Sequence, residues 1–170
     1  MLFQDEARFG RISEIYRCWA PGKIRPTCPK QLVREAIYLF GAVSPGDGRL
    51  VTTIEQKANT ESMARFLAKT AEVFPNDRLL MVLDGAGWHK AKALLVPERI
   101  RLLSLPPYCP DLNPAEHLWL AIRMRFFANR VFATLGAVEA QLITGAAELA
   151  AKPDELASMT CFPWIRLCVL

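Results

Sequence analysis

Leu79-Leu80-Met81-Val82-Leu83-Asp84-Gly85-Ala86-Gly87 is a short, wholly apolar run that stops on an acid followed by glycines. Apolar residues without polar alternation, bounded by turn residues, are what a central strand covered on both faces requires. In open α/β sheets the carboxyl ends of such strands border the ligand crevice, which is where Asp84 stands. The reading of this stretch therefore fixes both a fold class, α/β with a mixed central sheet flanked by helices, and the end of the sheet at which to look for chemistry.

Upstream of it, Asn59-Thr60 offers an N-cap, and Met63, Phe66, Leu67, Thr70, Ala71 and Phe74 recur at helical spacing until Pro75-Asn76-Asp77 ends the pattern. Ala36 to Val43 and Arg49 to Ile54 are β-branched and aromatic runs joined by Ser44-Pro45-Gly46-Asp47-Gly48, a hairpin. Leu2 to Phe9 is expected to be a strand carrying Asp5, and Ile12 to Trp19 a second one. Pro21, Gly22, Pro26 and Pro29, with Lys23, Arg25, Lys30 and Arg34, then make a basic, irregular connection. Downstream, Trp88 to Leu95 has helical composition up to Pro97, and Ile100 to Leu105 is another apolar strand stopped by Pro106-Pro107. Asn113-Pro114 starts a helix whose apolar face is Leu118, Trp119, Ile122, Phe126 and Phe127. Thr134 to Ala151 is expected to be a further helix. Residues 1–152 then form one domain, and residues 153–170 a tail whose Trp164, Ile165, Leu167, Val169 and Leu170 pack on the domain or on a partner.

Composition excludes several classes. With 170 residues, 52% hydrophobic and 22% charged, the chain has the length for one buried core and not the composition of a disordered or fibrous protein. No apolar run approaches the roughly 20 residues of a membrane span, and Asp5, Glu6, Arg8 and Arg11 stand where a signal peptide would be apolar. A cytoplasmic protein without a membrane partner is expected. Cys18, Cys28, Cys109, Cys161 and Cys168 are odd in number and form no CxxC pair, so neither a disulfide framework nor a zinc cage is expected. A net charge of +4 permits a polyanionic partner without demanding one.

Three acids carry the chemical reading: Asp5 on the first strand, Asp84 at the end of the central one and Glu116 on the helix beyond. Hard divalent cations take such oxygens, and paired metal ions serve phosphodiester chemistry. Each acid also has a structural reading. Asp84 before Gly85 is a turn residue, and Asn113-Pro114-Ala115-Glu116 matches a capping box, with Glu116 held by the helix dipole. Gly85-Ala86-Gly87 begins like a dinucleotide fingerprint, but its third glycine position is Lys90 and no phosphate loop occurs. His89 either positions a phosphate or water beside Asp84 or is a surface or packing residue. Trp88 and Trp119 are read as core or lid residues. Arg123, Arg125 and Arg130 either meet a DNA backbone or form a solvated helical face.

Phe3-Gln4-Asp5-Glu6-Ala7-Arg8-Phe9-Gly10, Leu83-Asp84-Gly85-Ala86-Gly87-Trp88-His89 and Leu105-Pro106-Pro107-Tyr108-Cys109-Pro110-Asp111-Leu112-Asn113-Pro114-Ala115-Glu116-His117-Leu118-Trp119, in this order, resemble the catalytic domain of bacterial insertion-sequence transposases. The group is the mariner-like, insertion-sequence six-thirty branch of the DDE superfamily endonucleases, and the resemblance runs from about Phe3 to Val131. It implies a ribonuclease-H-like fold and a catalytic triad of Asp5, Asp84 and Glu116 holding two Mg²⁺ or Mn²⁺ ions. It further implies cleavage of DNA phosphodiesters at transposon ends, then strand transfer into target DNA, commonly at TA. In the family's pattern Asn113 and Pro114 fix the helix entry that aims Glu116.

The 31 residues between Asp84 and Glu116 are a few fewer than is usual among mariner-like relatives. The resemblance also implies a homodimer on DNA and an upstream helix-turn-helix half that recognises the transposon ends; with four residues before Asp5, that half is expected to be separately encoded or missing. Two other readings use the same residues: a ribonuclease-H-like nuclease outside transposition, and an inactive remnant serving as a DNA-binding or interaction module.

Overall fold

Two runs of aromatic and aliphatic side chains meet the two faces of one sheet, and that division organises the molecule. The computed structural model describes residues 1–89 and 91–169, with side chains described through residue 167. Lys90, Leu170 and the side chains of Cys168 and Val169, all of which entered the expectations above, lie outside the described residues.

The sheet has five strands: β1 (Leu2–Ile12), β2 (Leu32–Val43), β3 (Leu50–Glu55), β4 (Leu79–Leu83) and β5 (Ile100–Ser104), in the order β3-β2-β1-β4-β5. β1, β2 and β3 are antiparallel, with Asp5 opposite Gly41. β4 runs parallel to both β1 and β5. This is the mixed sheet expected from the sequence, with the apolar run Leu79–Leu83 inside it.

On one face, Leu2, Phe40, Met81 and Leu83 pack against Met63, Phe66 and Leu67 of helix α1 (Thr60–Val73). The Asn59 side chain caps that helix by accepting from the Ser62 N–H at 2.9 Å. On the other face, Phe3, Ala7, Phe9 and Leu39 pack against α2 (Ala115–Ile122) and α3 (Leu135–Ala150). Each fully buried Phe, Leu or Met contributes on the order of 1.5–3 kcal/mol of transfer free energy, so the two faces together hold the sheet end rigid. α4 (Pro153–Thr160) and α5 (Pro163–Val169) follow, and Leu156 and Ile165 join the same apolar cluster as α2 and α3.

The structure corrects two local expectations and refines a third. Ile12 to Trp19 is not a strand: β1 itself runs on to Ile12, the end of its ladder with β2, and the residues beyond it loop out with Ile15 and Trp19 exposed. Trp88 to Leu95 is not a helix; one 3₁₀ turn, Gly87–His89, is all that forms among the described residues of that connection. Gly85, Gly87 and Pro97 leave too little uninterrupted chain to nucleate a helix there. The helix after Asn113 widens at Arg123–Phe127 into a π turn, closed by the Ala128 N–H on the Arg123 carbonyl at 2.8 Å.

Candidate active site

Asp5 reaches its position because β1 and β4 are parallel neighbours. Leu2 and Phe3 pair with Met81 and Val82, and two residues past the last pair come Asp5 and Asp84 at the same end of the sheet. Alternation along β1 sends Asp5 toward α2 and its neighbour Glu6 toward the α1 face. The Trp119 indole N–H donates to Asp5 Oδ2 at 2.8 Å. Burial pushes the Asp5 carboxyl up to about 7; the Trp119 hydrogen bond opposes this, and the charges of Glu116 and Glu6 add to it.

Asp84 closes the β4 turn: its Oδ1 accepts from the Ala86 N–H at 2.9 Å. Beneath it lies His89, whose side chain is 1% exposed. The His89 Nδ1–H faces the Asp84 carbonyl oxygen at 3.3 Å and stands 2.9 Å from Oδ1, while Nε2 is 3.6 Å from Glu6 Oε2. Burial alone would lower the imidazole's pKa; the carboxylates of Glu6 and Asp84 outweigh it and hold it above the ordinary histidine value.

Glu116 is an exposed residue in the first turn of α2. The helix entry is fixed by Asn113, which is buried: its Nδ2 donates to the Gln4 carbonyl at 2.9 Å, and its Oδ1 accepts from the Ala115 N–H at 3.1 Å. Asn113 thereby ties the start of α2 to β1 one residue before Asp5. The reciprocal half of a capping box does not form, since Pro114 takes the N-cap position and caps nothing with its side chain.

Asp5, Asp84, Glu116 and Asn113 line one cavity of about 370 Å³, walled by the stretch Leu105 to Pro110. In that wall Tyr108 holds a left-handed backbone, φ 59°, with its ring fully exposed. Arg123 and Arg125 are engaged within the chain. Arg123 donates to Glu14 Oε1 at 2.7 Å and lies over the Phe9 ring, and Arg125 donates to Glu155. Sequence reasoning missed the role of Trp119 as a donor to Asp5. The signal available was its position one turn after Glu116 on the same helix face.

A family model described as DDE superfamily endonuclease matches residues 1–139. The chain belongs to that family. This DDE endonuclease is 38% identical over 96 residues to the uncharacterized protein y4pE/y4sA of Sinorhizobium fredii (strain NBRC 101917 / NGR234), a match covering 56% of this chain and 71% of that one. Among solved structures it resembles the Mos1 mariner paired-end complex with Mn, with a TM-score of 0.66 at 16% identity, over 93% of this chain and 52% of that one. It also resembles the pre-cleavage Mos1 transpososome, with a TM-score of 0.65 at 14% identity, over 93% of this chain and 53% of that one. At such identities the likeness establishes the fold, which is ribonuclease-H-like, and the DDE endonuclease spans about half the length of the Mos1 chains it matches.

The donor set fits hard divalent cations. Carboxylates from three elements line one cavity, and negative charge gathered without a cation is part of what holds Asp5 near 7. As they stand, no three His, Cys, Asp or Glu side chains among the described residues close into a ready-made metal cluster. The described residues also include no helix long and apolar enough to cross a membrane.

Proposed function

We propose that this chain is the catalytic domain of a mariner-like transposase, cutting DNA phosphodiesters at transposon ends and joining the freed ends to target DNA. The observation that carries the reading is the convergence of Asp5, Asp84 and Glu116 on one cavity at the carboxyl end of β4, with Asp5 buried beside Glu116. Relatives of the same fold were crystallised as Mos1 paired-end complexes with Mn and with Mg, and as a strand transfer complex.

In this reading Asp5, Asp84 and Glu116 are the residues that hold Mg²⁺ or Mn²⁺, two ions per site. Bound there, the ions neutralise charge on the phosphodiester and polarise the attacking oxygen. The protein's part is placement. Trp119 fixes one oxygen of Asp5, Asn113 fixes the helix entry behind Glu116, and the Asp84 turn is pinned by the Ala86 N–H. The Leu105 to Pro110 stretch walls the cavity where a DNA strand would enter, and in this reading positioning, with no covalent protein intermediate, supplies the rate. DNA is the partner, with a second copy of the chain and a helix-turn-helix half completing the assembly in the cytoplasm.

The test pairs Mn²⁺ binding, read by thermal shift and calorimetry, with cleavage of transposon-end DNA in the presence of a supplied recognition half. Wild type is expected to be stabilised by Mn²⁺, to nick the ends and to join them to target DNA. Asp84→Asn is expected to lose both metal binding and cleavage while keeping its circular dichroism spectrum. Cleavage at the wild-type rate by Asp84→Asn would overturn the reading. Hydrolysis without joining would favour a nuclease outside transposition, and a folded wild type that binds no Mn²⁺ would favour an inactive remnant.

A further inference from the structure

We propose that His89 is a positioning residue for Asp84, braced by Glu6, and that the pair fixes the plane of the Asp84 carboxylate so that one oxygen is held toward the cavity. The inference rests on the reading of Asp84 as a metal-holding residue and extends it to groups buried on the opposite face of the sheet.

His89 contacts Asp84 twice, the Nδ1–H facing the carbonyl oxygen at 3.3 Å and standing 2.9 Å from Oδ1. Oδ1 also accepts from the Ala86 N–H at 2.9 Å. With Oδ1 occupied from two sides, Oδ2 has no partner among the described residues and is the oxygen available to a ligand. A turn hydrogen bond alone leaves a carboxylate free to rotate about its Cβ–Cγ bond; the second contact removes that freedom.

The back of the imidazole shows the same arrangement. His89 Nε2 is buried without a hydrogen-bond partner and faces Glu6 Oε2 at 3.6 Å. The Glu6 side chain is 9% exposed, and its Oε2 accepts from Nε2 of the fully buried Gln4 at 3.2 Å. An imidazole and a carboxylate are costly to keep among the apolar residues of the α1 face, where Trp88 packs edge-on against His89. Packing alone would be met better by leucine.

Glu6 and Asp5 are neighbours on β1. That strand therefore presents Asp5 directly to the cavity and, through Glu6 and His89, locates Asp84 as well. The separation of two carboxylates from different strands is thus referenced to a single strand, the precision a multi-carboxylate site needs.

The experiment measures Mn²⁺ affinity by calorimetry, together with kcat and KM for transposon-end DNA, in wild type, His89→Leu, His89→Asn and Glu6→Gln. His89→Leu is expected to fold and to bind Mn²⁺ about 10- to 100-fold more weakly, with kcat falling and KM for DNA unchanged. His89→Asn keeps an N–H donor where Nδ1 stands and is expected to recover most of that affinity, while Glu6→Gln loses less than His89→Leu. Wild-type Mn²⁺ affinity in folded His89→Leu, or an equal loss in the Asn and Leu variants, overturns the inference and leaves the proposed function standing. Absence of Mn²⁺ binding by wild type overturns both. If His89→Leu does not fold, Asn is compared with Gln, whose amide reaches toward Glu6 but not to the Nδ1 position. Tighter Mn²⁺ binding by Asn supports the proposal, and equal affinities overturn it.

Discussion

The indole N–H that Trp119 donates to Asp5 is possible because residue 41 is glycine. Gly41 lies opposite Asp5 in the β1–β2 ladder, and a Cβ there would stand 2.7 Å from Cη2 of Trp119. Gly41→Ala is therefore expected to destabilise the protein by about 1–3 kcal/mol through overpacking and to swing the indole away from Asp5. Trp119→Phe isolates the hydrogen bond: because that bond lowers the Asp5 pKa, its loss should raise the pKa above about 7, read from the ¹³C carboxyl signal of Asp5 in a pH titration. An unchanged midpoint would show that the indole does not hold the carboxylate. The same residues set a pH dependence for the metal-free protein. Native Asp5 keeps its proton up to about 7, while the unfolded chain releases it near 3.8, so the native state binds more protons and stability falls as pH rises through that interval. His89, held above its ordinary value, acts in the same direction: its contribution is complete at low pH and is lost as pH rises through the folded pKa. Urea midpoints should therefore fall between pH 6 and pH 8 without metal and fall less, or rise, with Mn²⁺. A midpoint that rises over that range without metal would contradict the burial assigned to Asp5.

Among the elements, α2 matters most to the site, and its N-terminus is joined to β1 by one side chain. Asn113→Ala would leave the Gln4 carbonyl and the Ala115 N–H without their partner, and is expected to cost about 1–3 kcal/mol. Asn113→Asp keeps an acceptor for Ala115 but loses the donor to Gln4 and adds a carboxylate to the cavity. It should recover only part of the stability in urea melts, and full recovery would mean that the link to β1 carries nothing. The elements differ in how far the sequence announces them. The β2–β3 hairpin and α1 were legible because Ser44 to Gly48 and Asn59 carry their own turn and cap chemistry. The apolar run Leu79–Leu83 was legible as an inner strand, and with it the sheet end where Asp5, Asp84 and Glu116 share a cavity. The span from Ile12 to Trp19 departs from its reading as a strand because alternation is a local pattern, whereas the ladder between β1 and β2 that would extend it ends at Ile12 and Leu32. Trp88 to Leu95 has helical composition, but the geometry of two parallel strands, β4 and β5, and the flanking glycines decide its path. The Trp119–Asp5 contact joins positions 114 residues apart and depends on the absence of a side chain at Gly41. No local pattern encodes it.

At the scale of the whole molecule, the segment that begins at Pro153 packs into the core through Leu156 and Ile165. Three contacts bear on this. Ile165 and Leu156 are fully buried in the cluster that contains Leu118 and Phe3. The Trp164 ring meets Phe3 edge-on, with centroids 5.9 Å apart, two residues before Asp5. At the far end of β2, Gly48 adopts φ +68°, and a Cβ there would lie 1.8 Å from the Pro153 carbonyl oxygen, so the hairpin turn and the start of α4 are packed backbone to backbone. Removing 153–170 would thus uncover the sheet face directly behind the cavity. A chain ending at residue 152 is expected to show a lower urea midpoint and weaker Mn²⁺ binding than the full chain. Ile165→Ala in the full chain should cost about 2–5 kcal/mol by leaving a cavity, whereas Leu167→Ala, at a side chain 82% exposed, should stay within about 0.5 kcal/mol. Equal midpoints for the short and full chains, with Ile165→Ala as mild as Leu167→Ala, would instead make the tail an appendage available to a partner. The support behind Asp5 would then have to come from α2 and α3 alone.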